Sequence, residues 1–187
     1  QYNSNMTRIT IVKSAIIEIL RFLHTLAVQG KTVYLTVVLF NSSASVLFEH
    51  TCIPSGEDEL TEMIKTLDDI RTYGSTNIEA SIDEIKRIEN MYSEDSSFKI
   101  LLSDGYVNFG LQSIELKNTY NNFFDTTIGI GKETEYDKDL LINISKEASE
   151  RSCDDALEMK EQIIDSVFGN ISFIAEAAHL GSTDNIL

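Results

Sequence analysis

The chain predicts an α/β fold: a doubly wound, mostly parallel central sheet with helices on both faces. Three observations lead there. Segments at helical spacing alternate with short β-branched runs along the chain. The longest such run, Val33 to Phe40, is apolar at nearly every position, which is the pattern of a strand covered on both faces. Only one proline and no low-complexity linker interrupt the 187 residues, so the elements belong to one domain.

Taken in order, Ile11, Val12, Ala15, Ile16, Ile19, Leu20, Phe22, Leu23 and Leu26 recur at helical spacing, and Gly30 stops the run. A helix over 10–29 follows, with a wide apolar face suited to packing on a sheet. His24 lies in it and reads as a surface or boundary residue. Thr32 to Phe40 is the strand buried on both faces, and 45–49 an edge hairpin partner across Asn41-Ser42-Ser43. After Pro54-Ser55-Gly56, a helix spans 57–70, with acids in the first turn that complement its dipole. Glu57-Asp58-Glu59 reads as a solvated face. A third helix spans 77–91, burying Ile78, Ile82, Ile85 and Ile88. A strand at 98–103, a helical stretch at 113–120, a strand at 123–130 and helices at 137–149 and 156–167 complete the pattern. Strands joined through helices of these lengths require parallel pairing with crossover connections. The domain spans 1–168, and 169–187 is an unassigned C-terminal extension.

The formal net charge of −15 opposes binding to nucleic acid or to anionic membrane surfaces, because phosphates are repelled. No apolar run approaches the ~20 residues of a membrane span. Cys52 and Cys153 follow no zinc or redox spacing. His24, His50 and His179 are scattered, with no metalloprotease or nucleophile-elbow pattern. The chain therefore reads as a non-enzyme.

In an open α/β sheet, ligands bind beyond the carboxyl ends of the strands. Three loops expected there carry oxygen-bearing side chains: Gln1-Tyr2-Asn3-Ser4-Asn5-Met6, Gly74-Ser75-Thr76, and Ser103-Asp104-Gly105. Read singly, each has an ordinary explanation. Thr76 could cap the helix after it, Asp104-Gly105 could be a strand-ending turn, and Asn3 and Asn5 could be loop polar groups. Their joint order resembles the metal-dependent adhesion site of von Willebrand factor type A (VWA) domains. That family combines an Asp-x-Ser-x-Ser loop, a Thr on a second loop and an Asp after a central strand.

The resemblance covers residues 1–168 and implies a Rossmann-like VWA fold and a protein-binding role. It places Gln1 at the first Asp, Asn3 and Asn5 at the two serines, Thr76 at the Thr and Asp104 at the second Asp. The family's first strand precedes that loop and is missing from residues 1–187. The family also has a strand near 151–153, where Arg151-Ser152-Cys153 is too short to supply one.

The altered loop implies a degenerate cation site. Amide oxygens can ligate a hard cation but bring no charge. One unit charge about 4 Å from a divalent ion is worth roughly 8 kcal/mol gross at an effective dielectric near 20, much of it cancelled by desolvation. Mg²⁺ is the expected ion, weakly held, with Ca²⁺ or no metal as the open alternatives. The resemblance thus implies docking of a protein partner at the carboxyl edge, or a structural role inside a larger assembly. Tyr2, Tyr106, Asn108 and Phe109, on loops flanking that edge, are the expected contact residues. The competing class is a Mg²⁺-dependent hydrolase or nucleotide-binding enzyme using Asp104 on a similar scaffold.

Overall fold

A computed structural model describes residues 8–71, 75–93, 96–103, 106–130, 134, 136–146, 152–153, 160–162, 164–166 and 168. The elements run α1 (Arg8–Val28), β1 (Tyr34–Phe40), β2 (Ala44–Cys52), α2 (Glu57–Asp68), α3 (Ile78–Met91), β3 (Ile100–Ser103), α4 (Ser113–Thr119), β4 (Thr126–Ile130), α5 (Lys138–Ile144) and β5 (Ser152–Cys153). Residues 160–162, 164–166 and 168 are also helical. The fold is α/β. Among the described residues no helix is long and apolar enough to cross a membrane.

The strands form two sheets. β1 and β2 make an antiparallel hairpin, while β3, β4 and β5 pair in parallel in that order. Helices cover both faces. On one face, Ile11, Ala15, Ile19, Leu20 and Leu23 of α1 and Leu60, Met63 and Leu67 of α2 bury against Ile128 and Ile130 of β4. Leu35 and Leu39 of β1 and Ile100 and Leu102 of β3 pack into the same cluster. On the other face, Ile78 and Ile82 of α3, Leu116 of α4 and Leu140, Leu141 and Ile144 of α5 surround Leu101 and Phe124, with Phe40 at the margin. Alternate residues of β3 thus feed opposite cores, as a period-two strand between two helix layers must. Ile164 and Phe168 pack on the first cluster, and Phe168 lies 4.4 Å from Phe22 between ring centroids.

Four expectations need correction. The Tyr34–Phe40 strand, read as buried on both faces, is exposed or only half-buried along its length. Its composition suits a central strand, but among the described residues it has a strand neighbour on one side only. Ser152 and Cys153, judged too short to form a strand, do form one. Two residues suffice because β4 is already in place, and they pair with Gly129 and Ile130. His24 is buried rather than peripheral, at 6% exposure. Its Nδ1 lies 2.8 Å from the Pro54 carbonyl oxygen and its Nε2 3.4 Å from Glu57 Oε1. These contacts satisfy a polar ring that α1 carries inward and fix the approach to α2. The helix expected at 137–149 is α5, which ends at Ile144. Asp137 caps it by accepting from Leu140 N at 3.0 Å.

On the surface, Arg87 of α3 forks onto Glu49 of β2, with Nη2 to Oε2 at 2.5 Å and Nη1 to Oε1 at 3.3 Å. The hydrogen bond from Arg87 holds the Glu49 carboxyl below its ordinary value. A depressed folded pKa stabilises above the unfolded carboxylate pKa, and that contribution is lost as pH falls through the folded value. In an NMR titration, Arg87→Ala should raise the Glu49 pKa back toward the ordinary carboxylate range. In the core, Leu20 is fully buried while Ile114 is 73% exposed. Urea denaturation should show a loss of about 3 kcal/mol for Leu20→Ala and of less than about 0.5 kcal/mol for Ile114→Ala.

Candidate functional site

The carboxyl ends of β1 and β3 open on the same side of the molecule, and hydrogen bonds show how. β1 runs out into the turn Asn41-Ser42-Ser43, tightened by Ser43 N donating to Asn41 Oδ1 at 3.0 Å. Asn77, immediately before α3, donates its backbone N–H to Asn41 O at 2.8 Å and its Nδ2 to Ser42 O at 3.1 Å. The same side chain accepts from Ala80 N at 3.2 Å and so caps α3. One buried amide therefore spends donor and acceptor together. It joins a hairpin turn to a helix start.

The loop after β3 is fastened to the same place. Asn108 Oδ1 accepts from Thr76 N at 2.8 Å, and Asn108 N donates to Thr76 O at 3.2 Å. Glu79 Oε2 accepts from Leu111 N at 3.0 Å. Gly110 sits at φ +73, and a Cβ there would lie 2.4 Å from Asn77 Oδ1. Glycine is thus needed twice, for the left-handed backbone and for the close approach. Gln112 and Glu115 form a capping box at the start of α4.

Helix α1 starts at this edge too. The short connection 29–33 returns the chain from α1 into β1, so α1 runs antiparallel to the strand. Lys13, near its start, donates to the carbonyl of Asp68 at the end of α2 at 2.5 Å. The β1–β2 turn, the start of α3 and the loop after β3 thus meet at one edge.

The structure places four of the nine sequence-selected residues. Thr76 is half-buried, between the hairpin turn and the loop after β3. The helix cap is Asn77 rather than Thr76. Thr76 spends its backbone on Asn108, and among the described residues no hydrogen bond engages its hydroxyl. Asn108 is itself exposed and acts as a staple for the Thr76 loop. Tyr106 and Phe109, 54% and 52% exposed, flank that staple. The Tyr106 hydroxyl lies 3.4 Å from Thr134 O. Gln1, Tyr2, Asn3, Asn5 and Asp104 lie outside the described residues. Among those described, no three His, Cys, Asp or Glu side chains gather as a metal group.

Asn77 was missed by the sequence reading as a functional-edge residue. Its signal was present: an Asn directly before an amphipathic helix, with Ala80 three residues on, is a capping pattern. Nothing in the sequence announced that its Nδ2 would reach Ser42, 35 residues away.

No family model matches the chain, and no curated protein matches it. Solved structures do. Proximal thread matrix protein 1 from the mussel byssus superposes with a TM-score of 0.62 at 19% identity, over 84% of this chain and 41% of that one. Another structure of the same mussel protein, with a zinc-occupied MIDAS motif, gives 0.60 at 18% identity, over 84% and 42%. A von Willebrand factor type A structure from Catenulispora acidiphila gives 0.62 at 13% identity, over 85% and 38%. At these identities the likeness establishes the fold, which is VWA-like. The chain spans about two-fifths of the length of these structures.

Replacing Asn77 by Ala removes the cap and leaves the Ser42 carbonyl without its side-chain partner. Thermal or urea unfolding should show a loss of about 2–3 kcal/mol. Asn108→Ala should cost about 1 kcal/mol and speed hydrogen exchange at Thr76 N, leaving exchange in α1 unchanged.

Proposed function

We propose that this chain is a protein-binding module of the VWA type, which docks a protein partner at the carboxyl edge of its sheet. The observation that carries the reading is the stapled edge: Asn77 and Asn108 hold three loops together, and Tyr106 and Phe109 stand exposed beside them. Aromatic anchors on a rigid frame lose little conformational freedom on binding. Exposed Ile114 on α4, the helix that follows Phe109, extends the apolar surface. Tyr2 belongs to the same contact set, and Asn108 borders it while positioning the loop.

The module carries a weakened divalent-cation site. Its oxygen donors are the Thr76 hydroxyl, the Asp104 carboxylate and the side-chain amides of Gln1, Asn3 and Asn5. Support comes from the half-buried position of Thr76, its free hydroxyl, and the zinc in the MIDAS motif of a structural neighbour. With one carboxylate and three neutral amides, the set is short of charge for a tightly held hard cation. Mg²⁺ is bound weakly, replaced by Ca²⁺ or absent, and docking proceeds without an ion switch. A structural place in a larger assembly accords with the neighbour being a matrix protein. The two sheets are the halves of one doubly wound, mostly parallel sheet. The module has no catalytic activity.

Two measurements test this. A melting curve with Mg²⁺, Mn²⁺, Ca²⁺ or Zn²⁺ should show an upward shift of a few degrees at millimolar ion, lost in Asp104→Ala and reduced in Thr76→Ala. No shift with any ion removes the cation site and leaves the docking claim. Tyr106→Ala with Phe109→Ala should weaken binding to a partner recovered with the native protein at least ~30-fold, without lowering the melting temperature. Turnover of phosphoester or nucleotide substrates, abolished by Asp104→Ala, would overturn the binding-module reading.

A further inference from the structure

The segment 109–114, which carries the chain from the loop after β3 into α4, holds two exposed apolar side chains, Phe109 and Ile114, at its ends. Leu111 between them packs inward on the second core. Three carboxylates from three different places in the fold lash this segment down. Glu79 of α3 accepts from Leu111 N at 3.0 Å, and Glu115 of α4 accepts from Gln112 N at 3.0 Å. Asp137, the cap of α5, accepts from Ser113 Oγ at 2.5 Å. All three donors are neutral, so each acid keeps its full charge. Among the described residues none of the three has a lysine, arginine or histidine partner. Lys117 of α4 is already held by Asp139.

Exposed apolar groups set among unneutralised acids restrict what can cover them. Nucleic acid and anionic membrane surfaces are repelled. A second copy brings a further −15 of charge and, in a twofold contact, the same three acids against themselves. Residues 169–187 of this chain contain no lysine or arginine, so they have no charge to offer the acids. A single metal ion does not serve either, because among the described residues no three carboxylates gather closely enough to hold one. Acids spread in this way meet separate cations, as the side chains of a peptide supply them.

We infer that the partner docked at this edge presents a basic segment, with an apolar anchor on Phe109 and Ile114 and flanking lysine or arginine side chains. The inference rests on the docking reading above and adds the partner's chemistry. In Glu79 and Glu115 the Oε2 oxygen serves the loop, which leaves Oε1 for the partner. A charge-assisted bond to such an oxygen is about twice as strong as a neutral one. Arginine suits the place better than lysine, because its planar group also stacks on an aromatic face such as that of Phe109. The loop is fixed by neutral donors before the partner arrives, so little is lost in ordering it. The chain's net charge draws a basic partner in from a distance, and that attraction weakens with salt.

An NMR titration of the full chain with two short synthetic peptides tests this. Both carry the same leucine and phenylalanine residues, flanked by arginine in one peptide and by glutamate in the other. The arginine peptide should shift the resonances of residues 106–116 and of Glu79, with an affinity that falls at least ~10-fold between about 50 and 500 mM salt. Phe109→Ala with Ile114→Ala should weaken it at least ~30-fold. The triple variant Glu79→Gln, Glu115→Gln, Asp137→Asn should weaken it as much. That variant removes three charges yet keeps an acceptor oxygen for each loop and cap bond, so its melting temperature should stay within a few degrees of the native one. Undiminished binding by the triple variant overturns the inference, as do shifts scattered over the surface and indifferent to Phe109 and Ile114. Binding of the glutamate peptide at these residues overturns the basic partner and keeps the docking reading. Silence at these residues with both peptides overturns the inference too. The docking reading then stands or falls on its own test, the loss of partner binding in Tyr106→Ala with Phe109→Ala.

Discussion

The arrangement at the carboxyl edge depends on one buried side chain, the amide of Asn77. An amide offers a donor and an acceptor on the same rigid plane, and both are used in opposite directions. The oxygen faces the first turn of α3 and the nitrogen faces the β1–β2 turn. Aspartate could cap the helix but would turn a second acceptor toward the Ser42 carbonyl. Serine could cap but would not reach it. Gly110 is tied to the same residue, since any side chain there would collide with the Asn77 oxygen. The positions of three loops therefore follow from one residue's hydrogen-bonding geometry.

Much of the architecture could be read from periodicity, because helix faces and β-branched runs are local signals. α1, α2 and α3 begin and end within a few residues of their expected bounds. The failures have a common cause: each depended on a neighbour distant in sequence. β1 has the composition of a central strand, and among the described residues it has a strand on one side only. Ser152 and Cys153 become a strand only because β4 supplies a ladder. His24 carries no local sign that Pro54 and Glu57 will enclose it. At the candidate site, motif order and loop position direct attention to Thr76, Tyr106 and Phe109 as expectations. The stapling by Asn77 and Asn108 could not, because its partners lie more than thirty residues away.

The edge is organised by neutral amides. A cation placed among loops holds them by charge, and that hold weakens with salt, with acid and with loss of the ion. The bonds made by Asn77 and Asn108 have no such dependence, since neither side chain titrates. In a chain carrying −15, this matters. Gathering carboxylates at one edge requires a counter-ion to offset their repulsion, whereas gathering amides requires none. Loop geometry and cation affinity are thereby separated in this fold.

The two sheets raise the converse problem, of burial rather than charge. Both helix layers are in place and both cores are largely filled, with Ala15, Leu20, Leu67, Ile82, Leu116 and Ile144 fully buried. Apolar residues of β1 and α1 nonetheless remain only partly covered, among them Val12, Ile16, Leu35 and Leu39. At about 25 cal/mol per Å² of apolar surface, such residues contribute less than their types allow. Among the described residues β1 has a strand partner on one side only, and its other edge is of the kind that natural sheets pair, cover or charge. The edge of β1 has neither lysine nor proline along Tyr34–Phe40. A strand edge without protective residues depends on being covered, since exposed it would template pairing with another chain.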